Sequence, residues 1–227
     1  MSGPVPGGLS NPVVTTILGR RTIRFEYDRS RAIPREVLEV VTACGLAAPS
    51  SKNAKPWRFH VVQDVSVLDA IAGAVESAPD IDTYVPHDPR TGQPHPHWSS
   101  SVIEAAAMLR EVPDAIFVET RGVFSGGGKK TLRAAHPDAV RESLTSYAFE
   151  CIGIGTAVEN MWLGAISLGL GAFFMGDVVI AEREITGRLQ IEGDVVGVLG
   201  LGYSTASPLP ARMSPKVTQV DDPVVWY

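Results

Sequence analysis

The sequence predicts an α+β fold in which helices flank a central sheet. Three observations carry that prediction. Helical and strand patterns are interspersed along the chain, with no internal repeat or linker. Two short apolar runs, "LGAFFMG" (170–176) and "DVVGVLGLGY" (194–203), read as buried strands. The longest helical pattern, 138–168, is apolar on most sides from Phe149 onward, so it needs cover on most sides. At 227 residues the chain is long enough to form a single domain with a sizeable core.

In order, residues 1–11 are rich in Gly, Pro and Ser and are expected to be flexible. "VVTTILGRRTIR" (13–24) reads as a short helix ending near Gly19, then a basic cluster. "PREVLEVVTACGLAA" (34–48) is an amphipathic helix. Pro34 suits its first turn, and Val37, Val40, Val41, Cys44 and Ala48 are expected to form its apolar stripe. A strand over 57–62 and a helix over 66–78 follow. Five prolines interrupt 79–98, which is expected to be an irregular loop, functional or mobile. A helix over 101–112, a strand over 114–120 and a second irregular stretch over 121–137 come next. The long helix needs more cover than a domain of 24.2 kDa supplies alone, which implies a partner subunit. The tail, 204–227, reads as extended, and its terminal Val224, Val225, Trp226 and Tyr227 call for burial against a second subunit.

The net charge of −5 gives no reason to expect nucleic acid or an anionic membrane as partner. Cys44 and Cys151 lie in apolar helical contexts and read as two buried free thiols, with one disulfide as the alternative. No basic segment followed by an apolar core opens the sequence, and no apolar run reaches the ~18 residues of a membrane span, so a cytoplasmic protein is expected.

Few groups stand out as chemical. Arg20, Arg21, Thr22 and Arg24 place three guanidiniums and a hydroxyl within five residues, a donor set that suits a phosphate. A solvated basic patch is the alternative. In "PSSKNAKPW", Ser50, Ser51 and Asn53 offer short-armed donors and acceptors, or simply make a turn. Pro56 pushes Lys55 toward an extended backbone, and Trp57 can anchor the strand in the core. Gly169, Gly171 and Gly176 bracket a strand, where a bare backbone admits a flat ligand. For Gly169 a helix cap is the alternative. "SGGGKKT" (125–131) lacks the spacing of a phosphate loop, and no G-x-G-x-x-G opens a nicotinamide-binding unit. His87, His95 and His97 have no Cys or acidic residue at metal-ligand spacing, so no metal site is expected.

Four segments, in order, resemble the nitroreductase superfamily of FMN-dependent oxidoreductases. They are "RRTIR" (20–24), "APSSKNAKPW" (48–57), "VENMWLGAISLGLGAFFMG" (158–176) and "LGLGYSTASPLPAR" (199–212). The family's patterns are R-R-S-[IV]-R, A-P-S-x-x-N-x-Q-P-W, a helix ending in L-x-A-x-x-x-G-L-G, and a terminal G-Y-P strand and tail. The resemblance implies a three-layer fold with a mixed or antiparallel sheet, as a domain-swapped homodimer with FMN at the interface. It implies that the FMN phosphate meets Arg20, Arg21 and Arg24, with Thr22 assisting. Asn53 would reach the ribityl chain or the phosphate. Pro49, Ser50 and Ser51 would pass near the ring from the other subunit. Gly176 would present its backbone to the reactive edge, and Arg212 or Lys216 would return from the tail.

Departures from the pattern are informative. Glu26 stands where the family often has Phe, and Asp177 where a neutral residue is common. Lys55 replaces the usual Gln before Pro-Trp, so a ring-facing amide becomes a cation near the flavin or a group in solvent. The stretches 79–98 and 121–137 match no family pattern and fall where substrate is chosen, with Tyr84, Trp98, Phe124 and Lys129 as candidate contacts.

The resemblance implies hydride transfer from NAD(P)H through FMN to a nitroaromatic, quinone or related electrophile. Such ping-pong transfer needs no acid–base side chain. The alternatives are a specialised flavoenzyme on the same scaffold (dehydrogenase or oxidase, dehalogenase, flavin-modifying) and a flavin-sequestering protein.

Overall fold

The computed structural model describes residues 11–81, 84–96 and 98–205. The expected flexible start and extended tail lie outside it, apart from Asn11, Ser204 and Thr205. Helix α1 (Pro12–Gly19) is capped by Asn11, whose side chain accepts the Val14 N–H at 3.0 Å. Pro12 sits at its start, where a missing N–H costs nothing. It belongs to a unit separate from the main body, residues 21–206.

The main body contains α2 (Arg35–Leu46), β1 (Trp57–Val62), α3 (Val65–Glu76), α4 (Val102–Glu111), β2 (Asp114–Thr120), α5 (Gly128–Arg133), α6 (Val140–Ser167), β3 (Gly171–Met175), α7 (Glu182–Leu189) and β4 (Asp194–Gly202). The strands form one sheet in the order β1-β2-β4-β3, each neighbouring pair antiparallel. The fold is therefore α+β with an antiparallel sheet.

Successive side chains of a strand point to opposite faces, and here both faces are covered. Ala115 and Phe117 of β2 join the core formed with α3, α4 and α7, while Ile116 and Val118 join that formed with α2 and α6. That is why "DAIFVET" is buried at every position. The register slips between Val118 and Glu119, where one extra residue enters β4. This bulge returns Val195 to the face of Val198 while Val196 packs on the other.

Several expectations need correction. Leu38, Val41 and Gly45 form the buried stripe of α2, with Ala48 buried just past its end, whereas Val40 is 50% exposed. Val40 lies about 100° round the helix from Val41, off the stripe. Lys55 has φ +47°, left-handed rather than extended. The stretch 121–137 is not wholly irregular, because Gly128–Arg133 is helical. Residues 177–189, given no element by the sequence patterns, form a 3₁₀ turn (Asp177–Ala181) running into α7. Cys44 and Cys151 are free but half-buried rather than buried.

The cap reading of Gly169 holds. Its φ is +80°, and the Leu170 N–H reaches back to the Ala165 carbonyl at 3.0 Å, which closes the end of α6. Among the described residues no helix is long and apolar enough to cross a membrane.

Candidate functional site

The site residues fall at three places around the sheet. The first is the outer edge of β3. The Ile23 N–H donates to the Ala172 carbonyl at 3.1 Å, which lays Arg21, Thr22 and Arg24 along the start of this edge strand. Tyr27 anchors the segment: its hydroxyl donates to the Ile23 carbonyl at 2.5 Å, and its ring packs against Phe173. Arg24 is exposed, and Arg21 and Thr22 are half-buried. Arg20, immediately before them, caps α1.

The second place is the other end of β3. Gly176 is exposed, and a Cβ built there would meet only the Val196 carbonyl oxygen, at 3.9 Å. The backbone is thus open to a flat group. Asp177 follows, held by the Ser101 hydroxyl. Tyr84 stands close by. Its phenol is pushed above the usual range by burial first, then by the charges of Asp177 and Glu182. Lys129 donates to both carboxylate oxygens of Glu182 at 2.9 Å, and Glu182 also accepts the Val195 N–H at 2.7 Å. Segments 79–98, 121–137 and 177–189 thus meet here. Trp98 is 61% exposed, with His95 edge-on to its ring.

The third place is the loop leading into β1. The Pro49 carbonyl accepts the Thr156 hydroxyl at 3.1 Å, and Ser50 packs where Gly153 leaves room for it on α6. The Ser50 hydroxyl accepts the Lys55 N–H at 2.9 Å. Lys52, Asn53 and Lys55 all have positive φ, near +50°. Three non-glycine residues in that region within four positions mark stored strain, which concentrates at functional sites. Pro49, Ser51, Asn53 and Lys55 are exposed.

One protomer does not bring these places together. Gly176 and the 49–56 loop share one end of the sheet but sit at its opposite edges, three strand spacings or about 14 Å apart. The arginine segment is about four residues, or ~14 Å, down β3 from Gly176. Arg212 and Lys216 lie outside the described residues.

Glu150 was missed by sequence reasoning. It has no exposed surface. Its carboxylate accepts the N–H groups of Phe124 and Ser125 at 2.5 and 2.7 Å. It also accepts the hydroxyls of Ser125 and Thr120 at 3.1 and 3.2 Å. It therefore fixes the loop that carries Phe124, which is half-buried. The available signal was an acid at the start of an otherwise apolar stretch of α6.

A four-stranded antiparallel sheet covered on both faces by helices, with an arginine segment along its edge strand and an open glycine at that strand's end, places the chain in the α+β class. The sequence profile of the Nitroreductase family matches residues 17–203, and the chain belongs to that family. It is 26% identical over 200 residues to a provisionally named NADH dehydrogenase/NAD(P)H nitroreductase of Methanothermobacter thermautotrophicus, covering 86% of this chain and 79% of that protein. It is 27% identical over 120 residues to the iodotyrosine deiodinase of Danio rerio, covering 49% of this chain and 37% of that protein. Among solved structures, a nitroreductase with bound FMN from Bacteroides fragilis is 21% identical, covers 96% of this chain and 100% of that chain, and has a TM-score of 0.63.

Proposed function

We infer that the protein is a cytoplasmic FMN-dependent oxidoreductase that works as a homodimer and takes reducing equivalents from NAD(P)H. The observation that carries this reading is the edge strand β3, with guanidiniums at its start and an unobstructed backbone at Gly176. The donor chemistry fits FMN. Arg21 and Arg24, with Thr22, would hold its phosphate, and Arg20 adds a third guanidinium in sequence. Gly176 would admit the edge of the ring. Arg212 or Lys216 would complete the phosphate site from the tail. When bound there, FMN would supply the redox chemistry, hydride transfer between a nicotinamide and an electrophile such as a nitroaromatic or quinone.

The chain's own residues bind, orient and exclude water. Pro49, Ser50, Ser51 and Asn53 sit too far from Gly176 in one protomer to share a ligand edge with it, which favours their serving the partner's site. Lys55 is exposed on that loop, where its cation would face the ring or solvent. Tyr84, Trp98 and Phe124 would contact the acceptor. The Lys129 ammonium is engaged by Glu182, so it would act by holding its segment in place.

The whole of 1–227 would serve as one FMN-binding unit, with 79–98 and 121–137 on the substrate side. The Tyr84 phenol beside the charged Asp177, Glu182 and Lys129, together with the likeness to a deiodinase, favours as second reading a specialised reaction on the same scaffold. Steady-state kinetics test the first reading. Double-reciprocal plots at several acceptor concentrations are expected to be parallel, as in ping-pong exchange. Intersecting lines would count against it. Arg21→Gln combined with Arg24→Gln is expected to weaken FMN binding by roughly tenfold or more, read by flavin fluorescence.

A further inference from the structure

A cavity whose lining includes neither the arginine segment nor Gly176 lies at the same end of the sheet as Gly176, and its volume is about 290 Å³. That is near the lower end of the ~300–1,000 Å³ of small-molecule sites, enough for a small charged group with a short arm. Arg58 from β1, Arg121 after β2 and Lys130 from α5 line it, together with Glu119, Glu192 and Asp194.

Two of the three carboxylates are tied back by hydrogen bonds. Glu119 is 2% exposed, its Oε2 lies 2.7 Å from His60 Nε2, and its Oε1 accepts the Gly193 N–H at 2.7 Å. Asp194 accepts the Lys129 N–H at 2.5 Å. Glu192 stands out on the rim at 86% exposure.

The cations are less well satisfied. Arg58 is 3.7 Å from Glu119 and 3.9 Å from Glu192, beyond hydrogen-bond contact. Arg121 and Lys130 are exposed and have no ion-pair partner among the described residues. The cavity therefore presents Arg121 and Lys130 without an ion-pair partner among the described residues and Arg58 loosely paired, beside two carboxylates, Glu119 and Asp194, that hydrogen bonds tie back.

We propose that this cavity is a binding site for a phosphate group, distinct from the flavin site, formed by Arg121 and Lys130 with Arg58. Guanidinium forks and an ammonium point charge together match a dianionic group with several oxygens. Two sources share that chemistry: the extra phosphate of a phosphorylated nicotinamide donor, and a separate phosphorylated small molecule.

The test is a calorimetric titration of inorganic pyrophosphate into the full chain, with and without saturating FMN. The expected result is a saturable site that persists when FMN is bound and weakens as salt is added. Arg121→Gln with Lys130→Gln should weaken it roughly tenfold or more. Arg35→Gln, an exposed arginine on α2, should leave it unchanged. Because the substituted side chains are exposed, near-ultraviolet circular dichroism should show intact packing.

Competition by 2′,5′-ADP but not 5′-AMP would support the nicotinamide source. Pyrophosphate binding that resists both nucleotides would support the separate one. Absence of saturable binding, or binding that the double variant leaves as it was, overturns the proposal. None of the three cations belongs to the proposed flavin site, so a chain that failed to bind FMN would still be expected to bind pyrophosphate.

Discussion

Glu150 shows how a single residue shapes the candidate site. A carboxylate without exposed surface is costly unless its oxygens are fully used, and here four donors from 120–125 use them. Glu150→Ala strips those donors of their acceptor. The variant is expected to lose about 2–4 kcal/mol of stability, read from the midpoint of urea unfolding. An unchanged midpoint would mean that the loop is held by something else. Asp114 is the matching case at the opposite end of the sheet. It is fully buried, and it accepts the Ile33 N–H at 2.9 Å and the Gln63 amide at 2.8 Å. Burial nevertheless raises its carboxyl above the ordinary range, against those two bonds. A folded-state value above the unfolded one gives stability that is fully present below the unfolded value, ~3.9, and is lost as pH rises through the folded one. The stability difference between the parent and Asp114→Asn should therefore shift against the parent as pH rises from about 4. A flat difference between pH 4 and 7 would contradict the assignment.

At the scale of elements, two glycines separate packing from function. A Cβ on Gly45 of α2 would lie 2.7 Å from Met161 of α6 and 2.9 Å from Phe59 of β1, so this glycine sets the approach of helix, helix and sheet. Gly45→Ala is expected to cost about 1–3 kcal/mol on thermal or urea unfolding. Gly176→Ala meets nothing closer than 3.9 Å and has an ordinary φ of −98°. It should leave stability unchanged and lower flavin-dependent turnover, and a loss of stability without loss of turnover would reverse the two roles. The elements that were legible in the sequence are those with a strong apolar signal. β2 and β4 are near-continuous apolar runs because both of their faces are covered, and α6 announces its end through Gly169. The edge of α2 facing away from the sheet was misjudged because Val40 is apolar but lies off the stripe. α7 went unread because "EREITGRL" is short and charged, and its end is made by Gln190 at φ +54° rather than by a glycine. Left-handed Lys52, Asn53 and Lys55 were hidden for the same reason: the residue types do not advertise the conformation. Segment 158–176 runs from α6 into β3 as expected, and residues 199–202 close β4, whereas 20–24 lies outside any helix or strand, and the partners of Lys129 and Glu150 are set by long-range packing that local pattern does not encode.

At the scale of the whole molecule, apolar surface is left over where α2 and α6 pack together. Val40 and Leu46 are each 50% exposed, Phe149 49% and Ile152 64%. Exposed apolar faces of this kind mark interaction surfaces. With the distance between Gly176 and the 49–56 loop, they favour a homodimer in which each flavin site draws on both chains. Ile152→Glu is expected to shift sedimentation from dimer toward monomer and to weaken FMN binding in parallel. Dissociation that left flavin affinity intact would separate the two claims. The central claim is that this chain binds FMN and that a nicotinamide reduces it there. An anaerobic absorbance scan of the FMN-loaded protein, before and after NADH and then NADPH, tests it most directly. The account predicts a flavin band that bleaches with at least one donor. A protein that takes up no flavin, or whose bound flavin neither donor bleaches, would contradict it.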